Sequence, residues 1–196
     1  MLKIKKIAVT GGLAAGKTTV CKIFEDLGAY VVSADEIVHQ LLSPDSVLGQ
    51  QIVSLLGSDI ISGPQFDREK IASIVFSQPD FLLALEKLIH PAVFDEIERR
   101  YFTVNQEKKH PLFIAEIPLL YEANGEGHFD AVISVFTDPE ISRKRFHQGA
   151  TEFDKRMARQ IAPKQKADKA HYIIENNGNL QELKTKVKTL FYQLIN

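Results

Sequence analysis

Residues 11–19 supply the glycines, the lysine and the hydroxyl side chains that a phosphate-binding loop requires. Their sequence, GGLAAGKTT, fits the pattern G-x-x-x-x-G-K-[ST] at Gly11, Gly16, Lys17 and Thr18. Glycines let successive backbone N–H groups converge on a phosphate, and the lysine can reach the β- and γ-phosphate oxygens. The Thr18 hydroxyl is placed to ligate Mg²⁺. The segment therefore predicts a site for the phosphates of a nucleotide and for Mg²⁺.

The flanking sequence predicts a strand before this loop and a helix after it. Residues 4–9 form a short β-rich run, and residues 17–27 favour a helix that Gly28 ends. The alternative is a glycine-rich turn that binds no ligand. A lysine at a helix start interacts unfavourably with the helix dipole, so a turn with a purely structural role would not favour Lys17 there. The loop residues predicted to hold ATP are Gly12, Leu13, Ala14, Ala15, Gly16, Lys17, Thr18 and Thr19.

Two acidic residues follow further predicted strands. Asp35 comes directly after residues 30–33, and Glu116 ends the apolar run 112–116. In an open α/β sheet the carboxyl ends of the strands border the ligand crevice, so both carboxylates are expected to face it. Glu116 is predicted to orient the Mg²⁺ shell, either directly or through water. A helix cap is an alternative role for Asp35.

The strands predicted over 131–136 and 171–174 complete a pattern of five strands interleaved with helices, and an amphipathic helix closes the chain. This alternation predicts an α/β fold with three layers and a five-stranded parallel sheet.

The segment 45–104 is predicted to be a helical insertion without strands, which could hold an acceptor substrate. Within it, the dipeptide His90-Pro91 predicts that a helix ends or kinks. His90 by itself is more typical of a structural hydrogen-bonding residue than of a catalyst.

The segment 143–169 carries a local excess of positive charge. It contains nine lysines and arginines against three acidic residues, whereas the whole chain has a net charge of −1. Beside a phosphate loop, such a segment predicts a lid whose arginines close over a nucleotide. A solvated helical face is the alternative.

The overall composition restricts the classes of function. The chain of 196 residues is 44% hydrophobic and 25% charged, which is typical of a soluble globular protein. A net charge near zero argues against a general nucleic-acid or membrane binder, and no apolar run approaches a membrane span. The single cysteine, Cys21, fits a reducing cytoplasm, where it is expected to be a buried helix residue. A monomer is expected, with an oligomer left open.

Taken together, these segments resemble the dephospho-CoA kinase family over almost the whole chain. Any single later segment is weak evidence, but six in order are specific. The segments are the phosphate loop, 33–35, 66–68, 85–91, 117–122, and Arg156, Gln160 and Lys166 leading to 174–178.

The resemblance implies a P-loop kinase that uses ATP to phosphorylate the ribose 3′-hydroxyl of dephospho-CoA. It implies catalytic roles for Asp35 as the base, Lys17, and Arg145 as a lid arginine. Asn176 and its neighbours resemble a loop that contacts adenine, although a plain strand-to-helix turn fits equally well. The acceptor-side positions implied by the resemblance are Asp35, His90, Pro118 and Leu119.

The implied division of the chain has three parts. The nucleotide-binding core would comprise 1–44, 105–142 and 170–196, the acceptor domain 45–104, and the lid 143–169.

Several positions depart from the family pattern. Ala14 and Ala15 stand where Gly and Ser are usual, so Ala14 must adopt either an ordinary φ or a strained one. Ser33 and His171 each stand where aspartate is usual, and Gly149 stands where a second lid arginine would fall.

Three other functions remain open. One is a P-loop kinase with a different small acceptor, and another is a degenerate homologue that does not catalyse transfer. The third, a GTP-dependent switch, would need a guanine-reading motif after a strand. The nearest match, residues 165–168, precedes a strand instead.

Overall fold

The computed structural model describes residues 3–196 of the chain. Contacts divide the chain into two compact units, one formed by 1–33 and 100–196 and the other by 34–99. The helical insertion was expected at 45–104, whereas the smaller unit spans 34–99. The segment 143–169 belongs to the larger unit.

In the larger unit, strands and helices alternate along the chain. Its strands are β1 (Lys5–Gly11), β2 (Tyr30–Ser33), β5 (Leu112–Glu116), β6 (Ala131–Phe136) and β7 (Tyr172–Glu175). Its helices are α1 (Lys17–Asp26), α6 (Pro139–Arg145), α7 (Ala150–Met157), α8 (Pro163–Lys169) and α9 (Leu180–Ile195), with a 3₁₀ turn at Glu126–His128.

In the smaller unit, helices dominate. Its elements are α2 (Ala34–Leu41), α3 (Val47–Leu56), a 3₁₀ turn at Ser58–Ile60, β3 (Ile61–Ser62), β4 (Gln65–Phe66) and α4 (Arg68–Ser77). Helix α5 (Pro79–Glu107) begins in this unit and ends in the larger one.

The large sheet confirms the predicted α/β class. Its five strands are parallel in the order β2-β5-β1-β6-β7. Strand β1 is central, and the chain passes from it first to one side of the sheet and later to the other. The phosphate loop that follows β1 therefore starts at the point where strand order reverses, where ligands of open α/β sheets bind.

Helices cover both faces of this sheet. On one face, Ile7 and Val9 of β1 pack with Phe24 of α1 and Val187 of α9 in one buried cluster. On the other face, Phe113 of β5 meets the Tyr101 ring from the end of α5 edge-on at 5.4 Å. Since side chains alternate between the faces of a strand, two buried faces explain why these strands read as continuous apolar runs.

One expectation for the insertion is wrong and a second is wrong in part, since no helix ends at His90-Pro91 while a kink there stays a prediction. Strands β3 and β4 pair antiparallel around Gly63, where no strand was expected. Each has only two residues, too few to produce a periodic signal. In addition, α5 does not end at His90-Pro91 but runs for 29 residues with Pro91 inside it. Burial of Leu85, Val93 and Ile97 on its flanks offsets the hydrogen bond that Pro91 removes.

His171, which directly precedes β7, contacts Val132 of β6 through both its side chain and its backbone. The imidazole Nδ1 of His171 accepts a hydrogen bond of 3.1 Å from the backbone N–H of Val132, and the backbone N–H of His171 donates to the Val132 carbonyl oxygen at 3.0 Å. Val132 is buried, so this N–H requires a partner. The imidazole nitrogen of His171 therefore satisfies the buried N–H of Val132.

Candidate active site

The phosphate loop lies between β1 and α1, as the sequence predicted. Gly16 is the residue before α1 and has φ 92°, a left-handed conformation that glycine adopts without strain. Ala14 also has a positive φ, of 55°. Of the two conformations open to Ala14, the loop thus adopts the strained one, which costs an L-residue about 1–2 kcal/mol.

Lys17 folds back over its own loop. Its Nζ donates to the carbonyl oxygens of Gly12 at 2.8 Å and Gly11 at 3.2 Å. The side chain is half-buried, so the ammonium group lies at the loop itself instead of extending into solvent. A phosphate held by the loop would therefore meet the lysine within reach of its oxygens.

Thr18 and Glu116 lie together at the start of α1. The Thr18 hydroxyl donates to Glu116 Oε1 at 2.8 Å, and Glu116 sits opposite Val9 of β1 in the sheet register. Both side chains offer oxygen atoms, the ligands that Mg²⁺ prefers. Within residues 3–196, there is no group of three or more His, Cys, Asp or Glu arranged to hold a metal ion.

The Cys21 thiol is a second donor to Glu116, one turn along α1 from Lys17. Burial raises the pKa of this thiol well above its ordinary value, and the negative charge of Glu116 raises it further, while Lys17 opposes the shift. Cys21 is therefore held as a neutral thiol, as its expected place inside a buried helix suggested. Its contact with Glu116 had no signal in the sequence.

Asn176 contacts the phosphate loop from the far end of the chain. Its Nδ2 donates to the Ala15 carbonyl oxygen at 2.9 Å, and the Thr137 hydroxyl donates to the same oxygen at 3.1 Å. Only 7% of Asn176 is exposed. Its side chain thus braces the loop, while contact of its neighbours with adenine stays a prediction.

Arg145 joins this arrangement from the end of α6. Its guanidinium donates to the carbonyl oxygen of Asn176 at 2.9 Å. Nearby, Arg143 pairs with Asp154 at 2.6 Å and Arg156 pairs with Glu152 at 2.9 Å. The hydrogen bond from Arg156 lowers the pKa of Glu152, which extends this exposed pair to more acidic pH.

The segment after β5 contains the predicted acceptor-side residues Pro118 and Leu119. Directly after β5, the backbone N–H of Ile117 donates to the Val9 carbonyl oxygen at 2.9 Å. Leu119, two residues later, is 37% exposed. The Pro118 carbonyl accepts from the Lys166 ammonium at 2.7 Å. Because Lys166 is buried in this contact, residues 165–168 do not form a guanine-reading motif.

Asp35 and His90 both lie in the smaller unit. Asp35 is the second residue of α2 and is exposed, so it occupies the first helical turn and is not the residue preceding the helix. It lines a cavity of about 560 Å³ with His39, Phe66 and Arg68. The Arg68 guanidinium contacts the His39 imidazole at this cavity. His90 is half-buried in α5.

The fold and the loop define a phosphate-loop kinase, and comparison with known proteins gives the family. The family model for dephospho-CoA kinase, CoaE, matches residues 5–182. The chain belongs to the dephospho-CoA kinase family.

Individual relatives agree with this assignment. The chain is 50% identical over 199 residues to the dephospho-CoA kinase of Protochlamydia amoebophila, covering 99% of this chain and 98% of that protein. Dephospho-CoA kinase from Campylobacter jejuni is 27% identical, with a TM-score of 0.74 over 96% of both chains. The crystal structure of TT1252 from Thermus thermophilus is also 27% identical, with a TM-score of 0.81 over 98% of this chain and 99% of that one.

No helix in residues 3–196 is both long enough and apolar enough to cross a membrane.

Proposed function

We propose that this protein transfers the γ-phosphate of ATP to the ribose 3′-hydroxyl of dephospho-CoA. The observation that carries the proposal is a complete phosphate loop, with Thr18 bonded to Glu116 at 2.8 Å, in a chain that matches the family over residues 5–182. Phosphoryl transfer needs mainly positioning and neutralisation of charge, and this loop supports both.

Binding of ATP is assigned to the phosphate loop. Its N–H groups and the N-terminus of α1 would hold the phosphates. Lys17 would turn from the carbonyl oxygens of Gly11 and Gly12 to the β- and γ-phosphate oxygens, a short movement because its Nζ already lies at the loop. An anion would then replace two neutral acceptors, which strengthens the contact.

Thr18 and Glu116 would hold Mg²⁺ together with the ATP phosphates. The fit is good because two hard oxygen donors lie 2.8 Å apart, and Mg²⁺ in kinases takes one or two protein ligands, with phosphates and water completing its shell. The ion, when bound, neutralises charge on the β- and γ-phosphates. Glu116 would then exchange the Thr18 proton donor for the cation.

The smaller unit, 34–99, is proposed to bind the acceptor. Its cavity combines the Arg68 cation with the apolar side chains of Phe66, Ile71 and Val75. Dephospho-CoA has both a diphosphate and a largely apolar arm, so a cavity of this mixed character suits it. Asp35 at the rim of the cavity would accept the proton of the attacking hydroxyl.

The segment 143–169 is proposed to act as a lid. Arg145 would leave the Asn176 carbonyl, which it contacts at 2.9 Å, to bind the transferring phosphoryl group. An arginine that exchanges a neutral acceptor for a developing anion acts mainly on the transition state.

The test is turnover of the purified protein with Mg²⁺-ATP and a panel of acceptors, with each product identified by mass. The panel contains dephospho-CoA, nucleosides, nucleotides and shikimate-like alcohols. We expect CoA as the product, with dephospho-CoA strongly preferred. Transfer to another acceptor would overturn the substrate but keep the phosphate-loop chemistry, and binding of ATP without transfer to any acceptor would indicate a degenerate homologue.

A further inference from the structure

A fully buried lysine lies in α8, the last helix of the segment 143–169. Lys166 in α8 has 0% of its side chain exposed, and its ammonium group contacts Glu122 Oε1 at 2.8 Å. It also donates to the carbonyl oxygen of Pro118 at 2.7 Å. A lysine is almost never buried this completely unless it is paired, so these two contacts fix where α8 can lie.

Glu122 links the same lysine to the start of α8. Its Oε1 accepts a hydrogen bond of 2.8 Å from the backbone N–H of Ile161, two residues before the helix begins at Pro163. Its Oε2 is buried and has no hydrogen-bond partner among residues 3–196. A carboxylate held in this way depends on Lys166, because loss of the ammonium group would leave its charge buried and unpaired.

The Pro118 carbonyl connects this ion pair to the phosphate loop. It accepts from the Thr10 hydroxyl at 3.3 Å as well as from Lys166. Thr10 is completely buried and directly precedes Gly11. One carbonyl oxygen thus joins α8 to the strand that enters the loop.

A direct contact with the loop comes from the first turn of α8. A Cβ atom added to Gly12 would lie 2.9 Å from Cγ and 3.3 Å from Cβ of Pro163. The ring of Pro163 therefore rests on the backbone of Gly12, leaving no room for a side chain. Since Lys166 lies one turn further along the same helix, its anchoring also sets the position of Pro163 on the loop.

We propose that Lys166 and Glu122 are positioning residues for the transfer reaction, acting through Pro163 on the phosphate loop and through Pro118 on the predicted acceptor segment. The proposal rests on the proposed function for its account of turnover. A buried ion pair is a weak source of stability compared with apolar side chains of similar size. Its contribution here is the fixed placement of three chain segments, 10–12, 118–122 and 161–166.

The experiment compares Lys166→Met with the double variant Lys166→Met/Glu122→Met. The control is Lys164→Met on the same helix, where the lysine is 75% exposed and pairs with Asp168. For each protein, melting temperature, ATP affinity without acceptor, kcat and the KM for dephospho-CoA are measured. The apolar double variant removes the buried charge, so we expect it to melt close to the wild type.

The double variant distinguishes positioning from simple stability. Because a small displacement of reacting groups can cost orders of magnitude in rate, we expect ATP affinity and kcat to stay reduced by about 10-fold or more in this stable protein. Lys164→Met should match the wild type in every readout. Recovery of melting temperature, ATP affinity and kcat together in the double variant would overturn the proposal.

If Lys166→Met or the double variant does not fold, Glu122→Gln provides the test. The amide keeps the shape and can still accept from Ile161, but it removes the negative charge beside Lys166. Because the Lys166 ammonium then lacks its counter-ion, we expect a lower melting temperature. At a temperature where the variant is fully folded, kcat should be several-fold lower, and native kinetics there would overturn the proposal. ATP affinity tests positioning independently of the acceptor, so wild-type protein that binds ATP but makes no CoA would count against the proposed function alone.

Discussion

The side-chain amide of Asn176 donates a hydrogen bond of 2.9 Å to the carbonyl oxygen of Ala15, 161 residues earlier in the chain. Thr137 donates to the same oxygen at 3.1 Å. The loop that would receive the phosphates is thus held from β6 and β7 as well as by its own glycines. Because the Ala15 carbonyl and the Gly16 N–H belong to one planar peptide unit, these bonds also fix the orientation of that N–H.

Asn176→Ala should weaken ATP binding. The variant leaves the Ala15 carbonyl oxygen with one side-chain donor instead of two, and the net contribution of such a hydrogen bond is about 0.5–1.5 kcal/mol. We expect ATP affinity to fall by about 10-fold, which corresponds to about 1.4 kcal/mol. Isothermal titration calorimetry with ATP and Mg²⁺ measures it.

Asn105→Ala is a matched control for that experiment. The Asn105 side chain also holds one backbone group, the N–H of Ile4, at 3.0 Å, but at the other end of β1. It should lower the melting temperature without changing ATP affinity. Equal losses of affinity in both variants would show that the Asn176 effect reflects stability only.

Asp35→Ala should fold and bind ATP yet lose most transfer. A positioned general base contributes about 10²- to 10⁴-fold to such a reaction, and Asp35 is exposed in the first turn of α2, so its loss creates no cavity. Steady-state turnover with dephospho-CoA measures the effect. Glu36→Ala, at the next exposed position, is the control. Turnover within a few-fold of the wild type would remove Asp35 from the base role.

Arg145→Ala should lower kcat more than it raises the KM for dephospho-CoA. The arginine is expected to interact with the phosphoryl group mainly in the transition state, so its removal affects both kcat and kcat/KM. Initial rates across a range of acceptor concentrations separate the two constants, with Lys144→Ala on the same helix as the control. An effect confined to KM would place Arg145 on the acceptor side.

Ala14→Gly should stabilise the protein slightly. Alanine at φ 55° costs about 1–2 kcal/mol, and the greater freedom of an unfolded glycine offsets about 0.4–1 kcal/mol of the relief. We expect a gain of about 0.5–1 kcal/mol in the free energy of unfolding, measured by urea denaturation. Ala158→Gly, at φ −62°, is the control and should lose about 0.5–1 kcal/mol. A loss in both variants would show that Ala14 is not strained.

Cys21 should resist alkylation in the folded protein at pH 8 and react on unfolding. Burial and then Glu116 raise the pKa of its thiol, so the reactive thiolate is scarce. The folded state therefore holds the proton more tightly than the unfolded state does. As pH rises above the ordinary thiol pKa of about 9.0, this contribution to stability is lost, by at most about 1.4 kcal/mol per pH unit.

Mass spectrometry after iodoacetamide treatment measures the labelling. Urea denaturation of wild type and Cys21→Ala between pH 8 and 10 isolates the thiol, because other groups titrate in both proteins. Rapid native labelling, or identical pH slopes, would contradict a raised pKa at Cys21.

The phosphate loop and the sheet could be predicted from the sequence because their signals are local. The pattern around Lys17 is contiguous, and each strand is a short apolar run bounded by turns. The identity of the family also came from contiguous segments. These features depend on which residues are neighbours in the chain.

The supports of the loop could not be predicted, because each joins residues far apart in sequence. Asn176 contacts Ala15, and Lys166 contacts Glu122, only in the folded chain. The helix end expected at Pro91 is absent for a related reason. Proline disfavours a helix interior, but burial of apolar side chains along α5 outweighs that local preference. Tertiary packing decides such positions, and one sequence does not display it.

Because of the contact between Pro163 and Gly12, the phosphate loop depends on a helix outside its own strand and helix. In the general pattern, the position after the first glycine admits any residue, yet here the neighbouring helix excludes every side chain. A graft of residues 11–19 onto another strand and helix would lose that constraint and, with it, the surface that shapes the loop from outside. In this protein the nine-residue motif and α8 therefore have complementary surfaces, and the loop conformation depends on both.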